Sequence, residues 1–147
     1  MNIFVLDFDP RKAAEYHCDR HVPKMILEST QMLSTVLNGP YKPTHQNHPC
    51  TLWVGESIDN ALWLFDLAYA LHHEWQKRWN HAREHKCVEI LDGLKKELAS
   101  LPAVGLTPFA LAMPIEFKTN DPVESYRAYY RSKTFAQWRY SSEPDWW

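Results

Sequence analysis

Apolar residues recur along most of this chain at three- and four-residue intervals, the spacing of one buried helical face. A first helix is predicted from Pro10 to Leu37, with Asp9 as N-cap, Pro10 at the first helical position and Asn38-Gly39-Pro40 as the stop. Pro23 lies inside it and predicts a kink, because proline removes one backbone bond and crowds the preceding turn. Ahead of that helix, Ile3-Phe4-Val5-Leu6 reads as a short strand or an apolar anchor. A second helix is predicted from about Pro49 to Glu84, carrying Trp53, Leu64, Ala68, Leu71, Trp75 and Trp79. A third covers 87–100, with Val88, Leu91, Leu94 and Leu98. Thr107-Pro108 reads as the start of a short helix broken at Met113-Pro114. Asp121, Pro122 and Glu124 open the last helix as a capping box. The predicted fold is all-α: one domain, 1–147, of four to five helices, with the strand as an option.

The polar positions of the first helix carry candidate chemistry. His17, His21, Lys24, Glu28 and Gln31 follow one line of its surface. The apolar sector (Cys18, Val22, Met25, Ile26, Met32, Leu33, Val36) is centred roughly 120° away, so the row borders the buried face like the wall of a cleft. The plain alternative is a solvated edge whose Lys24–Glu28 pair contributes ~0.3 kcal/mol. His17 and His21 stand four apart and could present two imidazoles to a metal, but Glu28 is about 10 Å beyond His21, too far to join that shell. No metal and no cofactor is therefore expected. Acid–base work without metal assigns proton handling to His17 and His21, charge stabilisation to Glu28 or Asp7, and phosphate binding or nucleophilic attack to Lys24.

Two further segments suit nucleic acid. The proline-stiffened loop Tyr41–Pro49 offers Lys42, His45 and His48 just before a helix start. The last helix interleaves Tyr126 and Tyr130 with Arg127, Arg131 and Lys133, a mixture that can neutralise phosphates and stack on bases. It equally fits half-buried tyrosines beside solvated arginines. His72-His73-Glu74, His81 and His85 sit among tryptophans and are explained as core or surface histidines.

Composition narrows the choice. The net charge is −2, so any nucleic-acid contact must be a local basic patch. Three widely spaced cysteines without a CxxC pair exclude a disulfide framework and fit a reducing cytoplasm. The short apolar run at the start is followed at once by acids, unlike a signal peptide, and no run is long enough to span a membrane.

The blocks DFDPRKAAEYHCDRHVPKMILESTQML, PYKPTHQNHPCTLW and YRAYYRSKTFAQW with PDWW resemble small helical phage proteins of the pyrimidine-dimer DNA glycosylase family. Arg20-His21-Val22-Pro23-Lys24 resembles, in spacing, the Arg-Glu-Leu-Pro-Arg motif of the endonuclease V group, and Tyr126 through Lys133 is similar to its aromatic-basic tail. The resemblance implies an all-α fold, DNA as partner, and attack on a sugar by the free amine of the N-terminal residue. Two departures stand out. Asn follows Met1 and is bulky enough to leave the methionine in place. The family's catalytic glutamate falls on His21, leaving Glu28 or Asp7 to supply a carboxylate.

These readings combine into an enzyme of phage type working on an extruded pyrimidine base in DNA. His17, His21, Glu28, Lys24 and Asp7 would do the chemistry. Arg20, Lys42, His45, His48, Tyr126, Arg127, Tyr130, Arg131 and Lys133 would contact nucleic acid. A transferase modifying hypermodified thymine shares the substrate. A non-catalytic nucleotide- or protein-binding module is the alternative from another class.

Overall fold

The computed structural model describes residues 1–147 and contains six α-helices and no strand. They are α1 (Pro10–Tyr16), α2 (His21–Val36), α3 (Pro49–Gly55), α4 (Ile58–Trp79), α5 (Cys87–Leu94) and α6 (Pro122–Arg131). No helix is long and apolar enough to cross a membrane. Helix α4 is the central post, packed against α1, α2, α3 and α5. One cluster of 31 buried apolar residues runs through the whole arrangement, so the helices share a core.

The predicted first helix is two helices. The chain leaves helical geometry at His17 (ψ 134°) and restarts at His21. The break is stable because it finds outside partners: the Asp19 amide donates to the Gln137 carbonyl at 2.8 Å. Pro23 then falls in the first turn of α2, where its missing N–H is not needed, so no kink arises. The second predicted helix also divides. Ser57 is an unanticipated N-cap whose hydroxyl accepts the Asn60 amide at 3.0 Å, and Asn80 in the left-handed region (φ 53°) ends α4 short of Glu84. The expected helix over 87–100 turns into a 3-10 segment at Lys95–Ser100.

Two further expectations are corrected. Residues 3–6 form no strand; they are an extended anchor, with Ile3, Phe4, Val5 and Leu6 all buried. The helix expected over Thr107–Met113 is extended chain, because its backbone groups are taken by other elements. Asn60 clasps Thr107 through two bonds of 2.7 and 2.9 Å, and the Tyr126 hydroxyl donates to Ala110 O (2.6 Å) while accepting from Ala112 N (3.2 Å). Asp121 does cap α6, accepting the Val123 and Glu124 amides. The Glu124 carboxylate, however, lies 3.8 Å from Arg127, and the Asp121 amide donates to Thr119 Oγ1, so the box is only half made. Through Tyr126 and Tyr130, α6 packs on the N-terminal anchor and on the turn between α1 and α2.

Candidate active site

Glu28 is the centre of the site. It lies on the second turn-and-a-half of α2 and is 8% exposed. The anchor of residues 3–6 brings the start of the chain across it. Oε1 of Glu28 is 3.3 Å from the Met1 α-amine and 3.2 Å from the Asn2 amide nitrogen. Oε2 has only Lys24 Nζ, at 4.0 Å. Asn2 is pinned in turn, its Nδ2 donating to Ala112 O at 2.9 Å and its Oδ1 lying 3.4 Å from both Cys50 Sγ and the Tyr126 hydroxyl. Burial pushes the Cys50 thiol up to about 11, so it is a protonated packing group. His48 caps α3, its Nδ1 accepting the Cys50 amide at 3.1 Å. Burial lowers its pKa, the α-amine and His45 lower it further, and Glu28 opposes.

Beside this corner lies the histidine pair. His17 belongs to the break and not to the helical row, so the row on α2 is His21, Lys24, Glu28 and Gln31. The His17 ring is fully buried. Its Nδ1 donates to Ala13 O at 2.6 Å and its Nε2 has no partner. Burial, with Arg78 nearby, takes its pKa down to about 4 despite that bond. His21 is stacked on Phe4 (4.7 Å, 17°) and joined through Nδ1 to the Tyr130 hydroxyl at 2.8 Å. That hydroxyl also accepts the Cys18 amide at 2.9 Å. If it donates its own proton to His21 Nδ1, the proton of neutral His21 sits on Nε2. Burial first, then His17, Lys133, Lys24 and Arg20, push the His21 pKa down to about 3.

Those cations form a rim. Arg20, exposed at the start of α2, stands 4.8 Å over the Phe135 ring. Lys133 lies 4.1 Å over Tyr129 and 5.3 Å over Phe4. The other candidates from the sequence are placed differently. Asp7 has both oxygens engaged, by the Asp9 amide (2.9 Å) and by Arg127 (3.2 Å). Arg127 turns inward, donating through Nε to Leu6 O at 2.8 Å, with its guanidinium over Tyr16 and Trp146. Arg131 is exposed and donates to Trp146 O. Tyr126 and Tyr130 are fully buried. Lys42 and His45 lie on the exposed loop, where His45 Nδ1 is 2.7 Å from the Thr44 hydroxyl.

The sequence reading passed over two features. The first is the pairing of the Met1 amine with Glu28, which sequence order alone does not show. The second is a buried hub at Arg78. That guanidinium pairs with Glu74 (3.0 Å) and Asp19 (3.3 Å) and donates to the His17 and Glu15 carbonyls. No three histidine, cysteine or carboxylate side chains come together as a metal shell.

Fold and site define a small helical protein with an amine–carboxylate pair set beside a basic rim. Its sequence matches the family model described as pyrimidine dimer DNA glycosylase over residues 1–87, more than half of its length, and the chain belongs to that family. No curated protein and no solved structure matches it. The matched stretch holds Met1, His21, Lys24 and Glu28, whereas Lys133 and the residues that pin Asn2 and His21 from α6 lie beyond it.

Proposed function

We propose that this protein is a DNA glycosylase acting on pyrimidine dimers, with an α-amine at the start of the chain as nucleophile and Glu28 as its acid–base partner. One observation carries the reading: a single buried carboxylate oxygen lies 3.3 Å from Met1 N and 3.2 Å from Asn2 N. The same oxygen is within reach of the nitrogens of both Met1 and Asn2, so it suits an amine on either residue. The family match over residues 1–87 supports the substrate.

The chemistry follows from the groups. An ammonium is not a nucleophile, so its proton must leave, and Glu28 Oε1 is within hydrogen-bond reach to accept it. The amine attacks C1′ of the deoxyribose. The bond from C1′ to the base breaks, and the base departs with the electron pair and is protonated. Loss of a second proton from nitrogen, followed by opening of the sugar ring, leaves a protonated imine joining protein to DNA. Glu28, once protonated, is placed to return a proton to the ring oxygen. Lys24, at 4.0 Å from Glu28 Oε2, fits a nearby phosphate better than attack, and the two histidines, neutral above about pH 4, are poorly suited to shuttling protons. Arg20, Lys24 and Lys133 contact the DNA backbone in this reading, with Arg127 tethering the anchor. DNA as substrate and three buried free thiols favour a host-cell cytoplasm as the working place.

Borohydride reduction of the imine is the test. Incubating the protein with a duplex carrying one cyclobutane pyrimidine dimer should give a protein–DNA adduct attached through the N-terminal residue. Glu28→Gln should leave the fold intact and lose the adduct. Attachment through Lys24, or no adduct with a duplex that binds, would overturn the assignment.

A further inference from the structure

The His21 ring raises a question that the amine–carboxylate pair leaves open. The residue is only 4% exposed, yet its Nε2 has no hydrogen-bond partner in the protein. Its neighbour His17 is sealed at 0% and buries an orphan Nε2, while His21 still reaches the surface. Cations stand close by. Arg20 and Lys133 both lie over Phe135, at 4.8 and 5.9 Å, and the His21 ring meets the same Phe135 at 5.3 Å. Lys24 is one turn along α2 and links to Glu28.

The surrounding charge is unfavourable for the protein alone. Helix α2 starts with no acidic residue in its first turn and no side-chain cap, and Arg20 stands at its positive end. Pro23 removes one of the helix-start donors, and Cys18 O takes the His21 and Val22 amides, so the backbone offers an anion little there. The side chains must do it. Orientation of the His21 ring is fixed from two sides, by the Phe4 stack and by the Cys18–Tyr130–His21 hydrogen-bond chain.

Resting on the DNA-binding reading above, we infer that His21 is a backbone-positioning residue, whose Nε2–H donates a fixed, uncharged hydrogen bond to a phosphodiester oxygen held between Arg20, Lys24 and Lys133. Tyr130 sets the tautomer that makes Nε2 the donor. Because the imidazole stays neutral down to about pH 3, this contact adds geometry without adding a charge. A cation at the same spot would strengthen binding to any anion. A neutral donor selects an oxygen at one place and leaves the salt dependence to its neighbours.

Binding of an undamaged duplex tests this without the reaction. Fluorescence anisotropy should show His21→Leu weakening affinity roughly 5- to 10-fold, with His21→Gln, which keeps a donor, within about 3-fold of the parent. Neither should change the slope of log Kd against log salt, whereas Lys24→Gln should lower it by about 0.9. Long-range 15N spectra of the imidazoles should show His21 protonated on Nε2 from pH 5.5 to 8, with that nitrogen shifting as duplex is added. Equal affinity for His21→Leu and the parent would overturn the inference, as would an Nδ1–H tautomer or an Nε2 resonance unmoved at saturation. Failure of the borohydride adduct with duplex binding intact would remove the glycosylase chemistry and leave this contact standing. Absence of duplex binding would sink both.

Discussion

Glu28 and Glu74 are both buried glutamates with a cationic partner on their own helix, and their surroundings are opposite. Glu74 is 6% exposed and faces Arg78, whose guanidinium has a partner on every side: Glu74, Asp19 and the carbonyls of Glu15 and His17. Glu28 is 8% exposed, but its Oε2 has only a lysine at 4.0 Å, and the groups on Oε1 belong to the first two residues of the chain. A buried charge with all its bonds made is a structural joint, costly to break and chemically quiet. One left with spare valence beside a movable proton is what a reaction needs. Burial alone does not separate the two; completeness of bonding does.

Four experiments press on that contrast. Glu28→Gln should lower the rate of base release on dimer-containing duplex by ~10²–10⁴; it also costs stability, because the buried Met1 ammonium loses its carboxylate, but less than loss of the Arg78 hub, since an amide can still accept the Asn2 N–H. A normal turnover would place Glu28 with the structural joints. Arg78→Met should do the reverse. It strands two carboxylates and two carbonyls in the core and should cost about 3–5 kcal/mol in chemical denaturation, with activity per folded molecule retained. Stability within 1 kcal/mol of the parent would mean the hub is not holding the α1–α2 turn.

Acid is the third probe. His17 and His21 have folded pKa values of about 4 and 3, against 6.5 in the unfolded chain. Between those limits the unfolded state binds more protons, so stability is full above pH 6.5 and falls as pH drops. His17 alone should account for about 3 kcal/mol by pH 4, from ~1.4 kcal/mol per pH step. His17→Leu should flatten the stability curve between pH 4 and 6.5 by close to one proton; a curve of unchanged steepness would show that His17 is accessible in the fold. The smallest effect is Arg127→Gln. Losing Leu6 O and Asp7 should cost about 1–2 kcal/mol, while duplex affinity and its salt slope stay put. A reduced salt slope would return Arg127 to the DNA contacts.

The sequence showed the helix starts that have a local device. Asp9-Pro10 and Asp121-Pro122 cap α1 and α6 at the expected places, because capping depends on a residue and the three that follow. It did not show the break at His17–Arg20. Apolar spacing continues across it, and the reason for the break is a carbonyl on Gln137. Segment 107–113 misled for a related reason, since Thr107-Pro108 looks like a cap until Asn60 and Tyr126 claim the backbone. The polar row on α2 was legible in the sequence, and Glu28 was in it. Which carboxylate would meet the amine was not, because that depends on how residues 3–6 are drawn into the core.

The grip on Asn2 comes from far along the chain. Ala112 O is 110 residues away from Asn2, and the hydroxyls of Tyr126 and Tyr130, which steady Asn2 and His21, are 124 and 109 residues from them. Contacts of such separation are among the slowest to form, because the intervening chain must close a long loop first. During synthesis at ~5–20 residues per second, the anchor leaves the ribosome several seconds before α6 does. In that interval Phe4 and His21 have no Tyr130 to lean on, and Asn2 has neither Ala112 nor Tyr126 to hold it. The corner that joins Met1, Asn2 and Glu28 is therefore completed by the helix that is made last.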